Sequence, residues 1–361
     1  MSGNPVTVLV VKMSSLGDII QSFPILHYLH RKFPGVQIDW AVETSLSSIV
    51  EAHPLVHRTI PLDVRGFKKS WNWKPLLRDI AVLRERRYDY VFDLQKNTKS
   101  GFVTALARSS MKVGFGLRTV REWPNVLATH RRFNISPIEN MRLQYVGLLQ
   151  TFFGDSGEIA GAVPFKIDSS EEEIIAGILQ QPILAASLKI MVCPGSRWIN
   201  KQLPVDTMIA FLAKVAERLD AAFVLVWGSV EELAYCEKIR EQFLDRCLVL
   251  DKQRLPVWQN LMQQMDLVIA VDSAALHLCG TTDTPSFSIF GPTVPAIFKP
   301  MGARHFAMHG VCPYGKTFTK QCPVLRTCIT GACIRNLDAS AIFHTFWDWW
   351  MSLGSRTYVS M

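Results

Sequence analysis

Four short stretches of this chain gather hydroxyls, carboxylates and cations beside glycines, the mix needed to bind and transfer a charged group. The first is Lys12-Met13-Ser14-Ser15-Leu16-Gly17-Asp18, directly after the apolar run Val6–Val11. A strand, then Ser-Ser-x-Gly-Asp, then a helix puts two hydroxyls, a flexible glycine and a carboxylate at the mouth of a sheet. Asp18 falls in the first helical turn, where the dipole favours the ionised form and leaves it able to take a proton. On the motif alone it reads equally as a first-turn acid that merely steadies its helix.

The second stretch is Cys193-Pro194-Gly195-Ser196-Arg197, followed by Lys201. Pro and Gly turn the chain, and Ser196, Arg197 and Lys201 converge before a helix starting near Pro204, as in a diphosphate cradle. A solvent-facing basic loop has the same composition. In the third, Ala270-Val271-Asp272-Ser273-Ala274-Ala275-Leu276-His277, a buried strand ends in Asp-Ser and small residues open a helix. His277 takes a supporting place there, and Gly291-Pro292-Thr293 closes the next strand with a tight turn. The fourth, Trp227-Gly228-Ser229-Val230-Glu231-Glu232, sets a carboxylate beside a glycine after a strand, which suits ribose hydroxyls. An exposed pair of helix-starting glutamates would look the same. No G-x-G-x-x-G follows any of these strands, which disfavours a nicotinamide oxidoreductase.

The elements that must position these residues alternate. After Val6–Val11 a helical pattern runs to about Lys32, Pro34-Gly35 stops it, and Val36–Val42 reads as a strand. A helix follows near Pro75–Arg87, then strand Tyr88–Leu94, a helix after Ser100 and strand Lys112–Phe115. The rhythm breaks near Ile159–Ser187, where Ser169-Ser170-Glu171-Glu172-Glu173 marks a helix start. It resumes with strand Lys189–Cys193, helix Pro204–Arg218, strand Ala222–Trp227, helix Glu231–Phe243 and strand Cys247–Leu250. Helix Pro256–Met265, strand Leu267–Val271, a helix after Ser273 and strand Ser286–Ile289 complete it. The expectation is an α/β fold of two Rossmann-like parallel-sheet domains facing across a cleft. Their expected bounds are 1–165 and 166–340, with 341–361 as a C-terminal helix. In that tail Ile342, Phe343, Phe346, Trp347, Trp350 and Leu353 recur at helical spacing, reading as an aromatic face packed on the body.

Composition narrows the function classes. The 361 residues are 48% hydrophobic and 19% charged, a globular balance. No apolar run approaches the ~20 residues a bilayer span needs, and Val6–Val11 lacks the flanks of a signal peptide. A cytosolic location with reduced cysteines is expected. Net charge is +8, yet residues 55–150 alone hold 18 Lys and Arg against 7 Asp and Glu. So basic a first half suits a polyanionic partner. Nucleic acid is not that partner, for no binding motif for it occurs. Cys312, Cys322, Cys328 and Cys333 have nine, five and four residues between them. Four such thiols could hold zinc or iron, but without a C-x-x-C pair we read them as reduced and unliganded, a structural metal being the alternative.

Taken in order, the motifs resemble the heptosyltransferases of glycosyltransferase family nine, nearest the heptosyltransferase I group. The resemblance rests on Val-Lys-Met-Ser-Ser-Leu-Gly-Asp at 11–18, Phe-Asp-Leu-Gln-Lys-Asn-Thr-Lys-Ser at 92–100, Val-Asp-Ser-Ala-Ala-Leu-His-Leu at 271–278 and Phe-Gly-Pro-Thr at 290–293. Pro194-Gly195-Ser196 with Lys201 adds a fifth match. It implies a GT-B fold and inverting transfer, without a metal or other cofactor, from ADP-L-glycero-D-manno-heptose to the Kdo of the lipopolysaccharide inner core. It makes Asp18 the base, Ser196 and Lys201 diphosphate contacts and Glu232 the ribose contact. Asp272, Ser273, His277, Gly291 and Thr293 join the donor site. Ser14, Ser15, Gly17, Gln95, Lys99 and Arg121 fall on the acceptor side. Kdo-lipid A and the inner leaflet are anionic, which would employ the basic excess at Arg65, Lys68, Lys69, Lys99 and Arg121 through peripheral contact with the inner membrane. Two departures stand out. Where the resemblance expects His-x-x-x-Arg, the chain reads Asn140-Met141-Arg142-Leu143-Gln144, so that contact is missing or comes from Arg142. Trp198 and Ile199 make the loop before Lys201 unusually apolar. A heptosyltransferase II-like enzyme, or one using another nucleotide sugar, is the alternative.

Overall fold

The structure is a computed structural model and describes residues 4–63, 73–157, 162–185 and 188–357. Arg65, Lys68 and Lys69 lie outside the described residues. The chain divides into two units, Met1–Lys166 and Ile167–Met361. The first contains β1 (Thr7–Val11), α1 (Leu16–Ser22), α2 (Pro24–Lys32), β2 (Gln37–Glu43), β3 (Arg58–Leu62) and α3 (Trp73–Arg84). After these come β4 (Tyr90–Asp93), α4 (Thr98–Leu106), β5 (Lys112–Phe115), β6 (Arg131–Phe133) and α5 (Met141–Phe153). Six strands pair in parallel in the order β3-β2-β1-β4-β5-β6. A central parallel strand is covered on both faces, which is why β1 is a continuous apolar run, its Val8–Val11 fully enclosed. The helical pattern up to Lys32 is broken rather than continuous. Pro24 has no N–H to donate, so α1 ends and α2 begins with Pro24 in its first turn.

The second unit repeats the plan. It contains α6 (Ser169–Leu179), β7 (Leu188–Cys193), α7 (Val205–Arg218), β8 (Ala221–Leu225), α8 (Val230–Gln242), β9 (Cys247–Val249) and α9 (Leu255–Met262). Then follow β10 (Leu267–Val271), α10 (Ala274–Cys279), β11 (Ser286–Phe290), β12 (His305–His309) and α11 (Ala339–Thr357). Its parallel order is β9-β8-β7-β10-β11-β12. Both sheets therefore reverse direction beside their first strand, between β1 and β4 and between β7 and β10. At such a point the crossovers leave on opposite sides and the strand ends part, leaving room for a ligand beyond their carboxyl ends.

The aromatic face of α11 is core. Ile342 and Phe346 are fully buried, and the Phe346 ring meets Phe211 at 5.7 Å and Phe287 at 5.3 Å. Each such ring contributes ~1.5–3 kcal/mol by leaving water. Among the described residues no helix is long and apolar enough to cross a membrane.

Candidate functional site

At the first switch point the loop after β1 meets the loop after β4. Gln95 joins them: its Oε1 accepts from the backbone N–H groups of Met13 and Ser14 at 3.1 Å, and its Nε2 donates to Ser14 Oγ at 3.3 Å. Asp18, half-buried in the first turn of α1, accepts from the Ser15 hydroxyl at 2.8 Å and from the Ser15 N–H at 3.2 Å. A carboxylate held this way has one orientation at the mouth of the sheet, beside the Ser14–Gln95 bridge. Its charge reaches Tyr145 on α5, whose hydroxyl is held well above its ordinary pKa first by burial and then by Asp18.

What shapes the Gln95 loop is Asp93, for which the sequence offered no role. Fully buried at the end of β4, it accepts from the N–H groups of Gln95 and Lys96, the hydroxyls of Ser100 and Thr104, and Asn125 Nδ2 at 2.7 Å. Burial raises the Asp93 carboxyl above its ordinary value against the pull of those bonds. Lys96, next in the loop, adopts φ of 68°. Lys99 and Arg121 are both exposed. They share a neighbourhood, because the Arg121 N–H donates to the Lys96 carbonyl at 2.9 Å and both side chains act on Glu122. The structure thus brings Ser14, Ser15, Asp18 and Gln95 together and sets Lys99 and Arg121 on the exposed rim of the same loops. Gly17 precedes Asp18 inside α1. Arg142 is buried in the first turn of α5, its backbone N–H capped by the Asn140 side chain.

At the second switch point the loop after β7 meets the loop after β10, and their centre is the Asp272 carboxylate. Lys201 Nζ donates to Asp272 Oδ2 at 2.6 Å, the Thr293 hydroxyl donates to the same oxygen, and His277 Nε2 lies 3.9 Å from Oδ1. Ser196 Oγ donates to the Asp272 carbonyl at 3.3 Å. Burial by itself would raise the Asp272 carboxyl. The ammonium of Lys201, then His277, outweigh burial and hold it below its ordinary value. Lys201 is therefore clamped to Asp272, which takes up one of the three donors of its ammonium. The Ser273 hydroxyl is buried without a hydrogen-bond partner in the structure, poised for one. α10 has only six residues, so side-chain cations, rather than a helix dipole, must supply most of the positive charge here.

Glu232 reaches the same loop. Its Oε2 accepts from Gly228 N–H at 2.7 Å, and its carboxylate lies so close to Gly195 that a Cβ there would come within 2.2 Å of Glu232 Cδ. Gly195 is a glycine for that reason. Gly291 is a packing glycine, its Cα turned to Ile334 and Cys333. The cysteine-rich segment backs the Lys201 turn: Asn200 Nδ2 donates to the Leu325 carbonyl, and Gly331, at φ of 57°, presses on Asn200. Cys312, Cys322, Cys328 and Cys333 are free thiols lining one cavity of about 190 Å³. Among the described residues no group of three or more His, Cys, Asp or Glu side chains is arranged to hold a metal ion.

A family model described as glycosyltransferase family 9 (heptosyltransferase) matches residues 77–327. Over 346 residues the sequence is 25% identical to lipopolysaccharide heptosyltransferase 1 of Salmonella typhimurium, covering 93% of this chain and 98% of that one. Over 328 residues it is 27% identical to the Pseudomonas aeruginosa protein of the same name, covering 87% of each. Among solved structures, E. coli heptosyltransferase WaaC with ADP superposes with a TM-score of 0.76 at 23% identity, covering 95% of this chain and all of that one. This likeness carries the fold: two Rossmann-like parallel-sheet domains of the GT-B class, as the sequence leads one to expect.

Proposed function

The chain belongs to glycosyltransferase family 9 (heptosyltransferase), and from that premise we propose that it transfers heptose from ADP-L-glycero-D-manno-heptose to the Kdo of the lipopolysaccharide inner core, inverting the anomeric centre. It is a glycosyltransferase. One observation supports the finer reading above others. At each switch point the loop after the first strand is locked to the loop after the fourth, Ser14 to Gln95 and Lys201 to Asp272. Each pair gathers the groups one half-reaction needs.

On the acceptor side Asp18 takes the proton of the attacking hydroxyl as its oxygen bonds to the anomeric carbon. The bond from that carbon to the diphosphate oxygen breaks, and ADP leaves with the electron pair. Gln95, Ser14, Ser15 and Gly17 shape the approach, and Lys99 and Arg121 meet the acceptor at its rim. On the donor side Lys201, with Ser196 and Ser273, receives the diphosphate, and Asp272, His277 and Thr293 hold Lys201 in place. Glu232 takes the ribose hydroxyls. The basic stretch within residues 55–150 faces an anionic glycolipid at the cytoplasmic side of the inner membrane.

Since protein cations offset the charge of the leaving diphosphate, activity should survive exhaustive EDTA treatment. Loss of turnover that Mg²⁺ or Mn²⁺ restores would contradict the metal-independent mechanism. The four thiols beside the donor turn are taken as reduced, and a metal found there by elemental analysis would act on stability.

Gly195→Ala should leave the fold intact, because the atom it meets is the end of a flexible glutamate. It should push Glu232 off the ribose position and weaken ADP binding by roughly tenfold, the worth of one charge-assisted hydrogen bond. Unchanged ADP affinity in calorimetry would remove Glu232 from the site. Titration with ADP, ADP-heptose and UDP-sugars side by side tests the donor as a whole. Heat with the first two and little with the third is the expected outcome, and equal binding of UDP-sugars would overturn it.

A further inference from the structure

Two lysines at the first switch point belong to none of the groups assigned so far. Lys12 is buried, with Nζ 5.2 Å from the centre of the Tyr145 ring. Lys96 Nζ lies 3.8 Å over the Phe115 ring and 5.8 Å from the Tyr145 ring, and donates to Gln144 Oε1 at 3.2 Å. Two ammonium groups therefore share one aromatic ring, on the helix whose Tyr145 also senses the Asp18 charge.

The backbone of Lys96 says more. Its φ of 68° is a conformation that side-chain-bearing residues seldom adopt and keep only where surroundings over-determine it. They do: the Lys96 N–H donates to Asp93 at 3.3 Å, and its carbonyl accepts from Arg121 at 2.9 Å and Glu122 at 3.1 Å. A glycine would sit there without strain. The chain instead carries a lysine whose ammonium lies against two rings and an amide, in the loop that Gln95 ties to Ser14. The amide is Gln144, at the place where the resemblance leads one to expect an arginine.

We propose that Lys96 is a specificity-determining residue of the acceptor site, binding the carboxylate of an acidic sugar acceptor beside Asp18. The proposal rests on the acceptor reading above. An ammonium partly removed from water over aromatic rings keeps its cation–π attraction and has lost much of its hydration, so an incoming carboxylate finds it only partly solvated. A carboxylate bound there would fix one face of the acceptor sugar and with it the hydroxyl presented to Asp18. Lys12, 5.2 Å from the centre of the same ring, adds to the positive potential.

The test uses a lipid-free Kdo acceptor and its methyl ester with the full-length protein. Lys96→Met should raise KM for free Kdo by roughly 10–100-fold, the worth of a charge-assisted contact, with KM for ADP-heptose unchanged. Lys96→Arg should recover most of the loss. On the methyl ester, wild type and Lys96→Met should be alike. Lys96→Gly relieves the backbone and should match the methionine variant, so it serves if that one folds poorly. Equal KM for free Kdo in wild type and variants, or an equal loss on acid and ester, would overturn the proposal. Failure of the wild type to transfer heptose to any Kdo acceptor would sink the acceptor reading instead. In that event, calorimetry with Kdo and its ester, without donor, still decides the role of Lys96: wild type must bind the acid more tightly than the ester, and Lys96→Met must not.

Discussion

Asp18→Asn should lower turnover by about 10²–10⁴ while donor affinity and thermal stability stay near those of the parent. The amide keeps the shape of the side chain, and its oxygen still accepts from Ser15 as the carboxylate does at 2.8 and 3.2 Å. What it loses is the capacity to take a proton. Because α1 is short and held by Ile19 and Ile20 in the core, folding does not depend on the charge of Asp18. Steady-state turnover under saturating donor and acceptor, with ADP binding measured in parallel, separates the two roles. A variant retaining more than about a tenth of the parent rate would fall well short of that loss and leave Asp18 as a helix-steadying acid.

The second large effect concerns Lys201. Its ion pair is with a buried carboxylate, the side-chain exposures of Lys201 and Asp272 being 14% and 4%. Lys201→Met strands a carboxylate in the interior, which costs about 3–5 kcal/mol. It also removes a donor to the diphosphate, worth roughly 10–100-fold in ADP affinity. Adding Asp272→Asn removes the stranded charge while the amide oxygen still accepts from Thr293. The double variant should regain most of the lost Tm and none of the lost ADP affinity. If ADP binding returns together with stability, Lys201 serves only to neutralise Asp272. If Lys201→Met is as stable as the parent, the pair is not the keystone of this loop.

Much of this architecture is legible in the residues, and the places where it is not share a cause. Central strands such as Leu267–Val271 are enclosed on both faces, so their apolar runs announce them. Three of the four edge strands do not. Arg58–Leu62 carries an arginine and Pro61, Arg131–Phe133 opens on two arginines, and His305–His309 is half-exposed. Only their pairing with β2, β5 and β11 makes them strands. The break between α1 and α2 was readable from Pro24, and was hidden by the apolar periodicity that continues through it.

The site divides the same way. Each loop shows its own hydroxyls and charges, but the bonds that turn loops into a site span the sequence. Ser14 and Gln95 are 81 residues apart, and Lys201 and Asp272 are 71. Nothing in the composition marks Lys201 as a partner of Asp272 before it meets a ligand. Asp93 lies in a matched stretch but was given no role, because Asn125, its shortest-bonded donor, lies 32 residues away in an unremarked stretch. Lys96 looked like one more cation in a basic half. Its distinction is a backbone angle, which no composition or spacing displays.

The central claim is tested most directly by the anomeric configuration of the product. Purified enzyme, freed of metal, is incubated with ADP-L-glycero-D-manno-heptose and a Kdo acceptor, and the new glycosidic linkage is read by NMR. One heptose joined to Kdo, its anomeric configuration opposite to that of the donor and one ADP released per linkage, is the predicted result. A product that retains the donor configuration, or no product from ADP-heptose while another nucleotide sugar is consumed, would contradict it.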